Sequence, residues 1–183
     1  MNFRFETTLT EEDYFNFNKF HMLKSPYGKK TVNSLRVSIT VMIIAFMFIS
    51  VLFGDFSLES WLYTIPLLIL LVLFHVFMPN YLTFIIKGQI KQMKKSGKMP
   101  YSKESVIEFY DESFSEATED NKTEMKYSAI ERISVVTGKS IYLHTNNIMA
   151  YIIPMSAFAS EDEYASFMEF IHKRCSVIDY YNY

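Results

Sequence analysis

Half of the 183 residues are apolar and 17% are aromatic, a composition that excludes an intrinsically disordered chain. Charge is unevenly placed: from Val37 to Ile86 the only charged residues are Asp55 and Glu59, which argues against a wholly soluble single domain. The lone Cys175 excludes an intramolecular disulfide and a thiolate metal cage, and five unclustered glycines exclude a phosphate-cradling loop.

The chain opens with an arm, residues 1–34, whose first element alternates Phe3, Phe5 and Thr7 against Arg4, Glu6 and Thr8. Period two predicts a strand. Thr10 followed by Glu11-Glu12-Asp13 predicts a helix start, with Thr10 as cap and three acids at the positive end of the dipole. That helix is expected to end at Ser25-Pro26-Tyr27-Gly28.

Residues 35–54 are expected to form a first transmembrane helix, built on the charge-free run VSITVMIIAFMFISVLF. Residues 55–60 form a short extracytoplasmic link. Residues 61–80 form the second transmembrane helix, centred on LLILLVLF, and residues 81–100 a basic juxtamembrane helix. Lys87, Lys91, Lys94, Lys95 and Lys98 recur on one helical face. Together with Lys29, Lys30 and Arg36 they make a basic membrane-surface face suited to anionic lipid. No acid occurs from Tyr14 to Arg36 or from Lys87 to Lys103, whereas the link holds two acids and no base. The positive-inside rule then places both termini in the cytoplasm of a cell whose inner membrane the hairpin crosses. His75, an ionisable group inside the second span, has two readings: a functional site, or a neutral ring donating to the neighbouring helix or to interfacial water.

Residues 101–183 change character. Six β-type segments follow one another: 105–112, 113–118, 123–128, 131–137, 140–145 and 148–153. Gly138-Lys139 and Asn146-Asn147 provide turns, and Pro154 provides a stop. Ser160 and Glu163 predict a capping box for a closing amphipathic helix with Tyr164, Phe167, Met168 and Ile171 on one face. The expected architecture is α+β: a two-helix transmembrane hairpin, then an antiparallel sheet or barrel capped by a C-terminal helix. The tail Tyr180-Tyr181-Asn182-Tyr183 reads equally as a docking or modification site and as an aromatic end folded onto the domain. Residues 104–183 hold 14 acids and 6 bases, which argues against nucleic acid as a partner.

No nucleotide-binding, zincin, redox or hydrolase motif is present. The four histidines are scattered, so no metal or cofactor is expected, and Cys175 reads as a packing residue. The acidic triplets sit at helix starts, where the dipole accounts for them.

The phrases EFYDESF, YSAIERI and IIPMSAF, in this order after an arm, two spans and a basic helix, resemble the YcxB-like family of bacterial membrane proteins. Glu112-Ser113 stands where that family's turn glycine is usual. The resemblance implies a cytoplasmic domain similar to pleckstrin-homology or GRAM domains, a seven-stranded sheet capped by one helix. The arm strand is then a candidate for the seventh strand.

The leading expectation is a membrane-anchored, non-catalytic binding or regulatory protein that presents this domain to a protein or peptide. The candidate partner-binding edge comprises Lys139, Ile141, Leu143, Ile148 and Ala150. Expected partners are the bilayer, anionic lipid at the basic helix and that protein or peptide; self-association is left open. The alternative is an accessory or immunity-type subunit recognised through its hairpin, and the minor alternative is an enzyme at the membrane interface.

Overall fold

The computed structural model describes residues 2–53, 58–97, 99, 101 and 103–182. The chain divides into two units, Met1–Phe17 with Ile90–Tyr183, and Asn18–Gln89. The arm, expected as one piece over 1–34, is therefore shared between both units.

In the first unit, strand β1 (Phe3–Thr8) leads into helix α1 (Glu11–Leu23). Thr10 Oγ1 accepts from the Asp13 N–H at 3.1 Å, and the Asp13 carboxylate accepts from the Thr10 N–H at 2.9 Å, a reciprocal cap. After the hairpin come β2 (Glu104–Phe109), β3 (Ser113–Ala117), β4 (Lys122–Lys126), β5 (Arg132–Val136), β6 (Ser140–His144), β7 (Ala150–Pro154), helix α4 (Glu161–His172) and β8 (Ile178–Tyr181). Residues 127–128, expected in strand, lie in a 3-10 turn.

Two four-stranded sheets result, in the orders β1-β2-β3-β4 and β7-β6-β5-β8. The arm strand does supply a sheet edge: β1 pairs antiparallel with β2 over its full length, from Phe3 opposite Phe109 to Thr8 opposite Glu104. The expected antiparallel topology needs one correction. β8, absent from the six strands read in the sequence, runs parallel to β5. A parallel neighbour needs a crossover, and α4 provides it. Tyr180 and Tyr181 of the tail belong to this strand, and Tyr183 lies outside the described residues.

Alternation turns Phe5, Ile107, Phe109, Phe114, Ile133, Val135, Ile141, Leu143 and Ile153 into one core with Phe167 and Ile171 of α4. Phe167 meets Phe5 at 5.1 Å and Phe109 at 4.9 Å, both edge to face. Ser160 caps α4 by accepting from the Glu163 N–H at 3.1 Å, as its sequence indicated. The missing turn glycine costs nothing. The Tyr110 N–H reaches Ser113 O at 2.8 Å, and no non-glycine described residue takes a positive φ.

In the second unit, α2 (Pro26–Phe53) starts as soon as α1 ends and contains the first apolar run. Ser25 is the hinge: its Oγ donates to His21 O at 2.5 Å and accepts from the Gly28 N–H at 3.0 Å, and Pro26 follows at the first helical position, where its missing N–H is harmless. A Cβ on Gly28 would lie 1.9 Å from His21 O, so only glycine permits this turn.

Helix α3 (Leu58–Ser96) is continuous, so the basic segment after the second apolar run carries that helix on, as its sequence reads. Pro79 lies inside it. Proline cannot donate to the carbonyl four residues back, which is His75 O. Arg36 Nη2 donates to that carbonyl at 3.3 Å. Both helices are long and apolar enough to cross a membrane, and large side chains such as Met42, Phe46, Phe48, Leu70 and Val72 are exposed along them.

Candidate functional site

The proposed basic face separates into groups with different partners. Lys29 and Lys30 are exposed in the first turns of α2. Lys87, Lys91 and Lys95 are exposed on α3. Lys94 is committed elsewhere: its ammonium pairs with Glu11 of α1, and that hydrogen bond raises its pKa. Lys98 lies outside the described residues. Arg36 is half-buried and bonded to His75 O.

His75 sits among backbone and hydroxyl partners. Its Nδ1 is 3.0 Å from Leu71 O, an acceptor only, so Nδ1 carries the proton. Its Nε2 is 3.4 Å from Thr40 Oγ1, whose hydroxyl also donates to Arg36 O at 2.8 Å. The ring therefore donates within α3 and not to the neighbouring helix, and Nε2 only approaches Thr40 of α2, whose one hydroxyl proton goes to Arg36 O.

The candidate partner edge needs correction. Ile141 and Leu143 lie on β6, which is paired on one side with β5 and on the other with β7, and both are fully buried in the core. β6 is a central strand. Its outer-facing Tyr142 and His144 are also covered: Phe17 of α1 packs at 5.1 Å and 6.4 Å on their rings. Lys139 belongs to the β5–β6 turn, where Gly138 has φ +70°. Only Ala150 and Ile148 remain near an edge. β7 has a ladder partner on one side alone among the described residues. At its entry Asn146 Oδ1 accepts from the Ile148 and Met149 N–H groups at 2.8 and 2.7 Å. This Asx turn holds the loop while Ile148 and Met149 are each 64% exposed. Met149 carried the same sequence signal as Ile148, an apolar residue directly behind the Asn-Asn turn.

The family phrases are structural. Tyr127 OH donates to Tyr110 O at 2.7 Å, and burial pushes its phenol pKa up. Arg174 Nε donates to Asp111 O at 2.9 Å while its guanidinium lies 3.6 Å from the Phe170 ring centroid. Phe158 of IIPMSAF packs on Phe5 at 4.7 Å. Burial raises the Cys175 thiol to about 11, so it stays protonated at neutral pH. No three His, Cys, Asp or Glu side chains cluster as a metal site among the described residues.

Residues 109–171, about a third of the chain, match the family model described as YcxB-like protein. The chain carries a YcxB-like domain, running from the end of β2 through most of α4. No curated protein and no solved structure matches the chain.

Proposed function

We propose that this protein is a membrane-anchored, non-catalytic binding or regulatory module of a bacterial inner membrane. The hairpin of α2 and α3 crosses the bilayer with both termini in the cytoplasm, where a domain similar to the pleckstrin-homology fold engages a protein or peptide. The lysine asymmetry of the flanks and the short acidic link support that orientation. Two four-stranded sheets closed by one helix support the fold comparison.

The observation that carries the binding role is the exposed pair Ile148 and Met149 beside edge strand β7. An extended segment adding to that edge gains main-chain hydrogen bonds from β7 and apolar contact from the pair. The test is photo-crosslinking in native membranes from a probe at Met149. A single protein adduct, lost when Ile148→Asp is introduced, is the expected result. Lipid or self-adducts alone overturn the reading. Replacing both spans by unrelated ones leaves that adduct in place if the domain recognises the partner, and abolishes it if the chain is a subunit recognised through its hairpin.

A further inference from the structure

The hairpin holds Arg36 in a slot, without an ion-pair partner among the described residues. Lys29, Asn33, Arg36 and Thr40 recur at i, i+4, i+7 and i+11, so they form one stripe along α2. Where this stripe meets α3, a cavity of about 250 Å³ opens, lined by Asn33, Arg36, Val37, Thr40, Val41 and His75. Arg36 makes one hydrogen bond there among the described residues, to His75 O, and its Nε is buried without a partner. A guanidinium has five N–H donors. No ion pair to Arg36 occurs among the described residues, and from residue 18 to 89 the only acids in the sequence are Asp55 and Glu59. Glu59 lies in the first turn of α3, and Asp55 falls between α2 and α3 in the sequence, both far along the chain from Arg36. Arg36 lies 17 residues from the end of α2 at Phe53, about 26 Å along a helix. The hydrocarbon core is about 30 Å thick, so with Phe53 at one boundary the Arg36 backbone lies about 4 Å inside the other, and its long side chain reaches the lipid phosphates from there. Val37 and Val41, 56% and 59% exposed, continue the slot with an apolar wall.

We infer that this slot binds the phosphate of an anionic phospholipid, with Arg36 as counter-charge, the Asn33 amide as a donor, the Thr40 hydroxyl as a second donor once it turns from Arg36 O, and the two valines against the acyl chain. The site is separate from the lysine face of α3. It rests on the anchoring half of the proposed function, because the slot meets lipid only if the hairpin is inserted.

The test uses the full chain reconstituted in nanodiscs containing equimolar phosphatidylcholine and phosphatidylglycerol, followed by native mass spectrometry of the lipid that stays bound. One phosphatidylglycerol retained in preference to phosphatidylcholine is expected. Arg36→Gln should lower that retention about tenfold, the cost of losing a charged hydrogen bond. Thr40→Val should lower it less, Lys122→Gln on β4 should leave it unchanged, and a Lys91→Gln, Lys95→Gln pair tests whether the loss follows the lysine face instead. Thr40→Val also serves if Arg36→Gln fails to fold. Equal retention of the two lipids overturns the inference, as does a loss that follows Lys91 and Lys95 instead of Arg36. Displacement of the lipid by millimolar inorganic phosphate overturns the lipid source. Failure of the wild-type chain to enter nanodiscs sinks the anchoring reading itself, a result distinct from the others.

Discussion

Tyr127 and Glu116 show how single side chains set local stability. The Tyr127 hydroxyl holds the β2–β3 turn through Tyr110 O. Because burial raises its phenol pKa, it donates throughout the neutral range. Tyr127→Phe is expected to cost about 1 kcal/mol and to speed amide exchange at residues 111–113. Unchanged exchange there would show the bond to be idle. Glu116 is half-buried, and burial raises its carboxyl pKa, with a hydrogen bond to Ser105 opposing. The folded protein therefore binds a proton more tightly than the unfolded chain. The charged carboxylate costs stability above the folded pKa, and that cost fades as pH falls toward the unfolded value of 4.5. Glu116→Gln should stabilise the full chain at pH 7 and remove this contribution on acidification. Thermal unfolding in detergent at several pH values reads both effects, and a variant that is less stable at neutral pH contradicts the assignment.

At the scale of elements, β1 is the clearest case. Its residues precede the hairpin in sequence, yet Phe5 is 1% exposed inside a core otherwise drawn from residues after 104. Truncating it opens a cavity among Phe109, Phe158 and Phe167. Phe5→Ala is expected to cost about 3–5 kcal/mol and to lower exchange protection in β2 and α4 together. Protection lost in β1 alone would mean that the strand is a detachable strap. α3 makes a second case. Of its two internal prolines, Pro79 leaves the His75 carbonyl without its N–H partner, and Arg36 from the other helix answers it. Hairpin packing and helix continuity are therefore one problem. Pro79→Ala restores the backbone donor and should raise α3 helicity while loosening Arg36.

For the whole molecule, the orientation proposed above is open to direct measurement. In a Cys175→Ser background, Glu59→Cys is expected to react with an impermeant maleimide on intact spheroplasts, and Thr8→Cys only after permeabilisation. Labelling of Thr8→Cys from outside overturns the topology. Charge reversal of Lys91 and Lys95, which are exposed and among the described residues make no ion pair of the kind Lys94 makes with Glu11, should alter partner capture if the basic face orients the domain; unchanged capture removes that role from the face.

What the sequence determined by itself is what depends on neighbours along the chain. The two apolar runs, the alternation of β1, the Thr10 and Ser160 caps and the Gly138 turn all follow from spacing and local hydrogen bonding, and all are present in the fold. Which strands and helices become neighbours in space depends on contacts between distant segments. The alternation of SIYLHT is the same for an edge strand and a central one, so Ile141 and Leu143 became core only when β5 and β7 closed on both sides. β8 is four residues long, with no turn signal before it, and it exists because α4 returns the chain beside β5. The slot at Arg36 likewise needs Pro79, His75 and Thr40, drawn from two helices, to meet at one point. Hydrophobic period reports the face a side chain takes, and pairing across distant segments decides what that face meets.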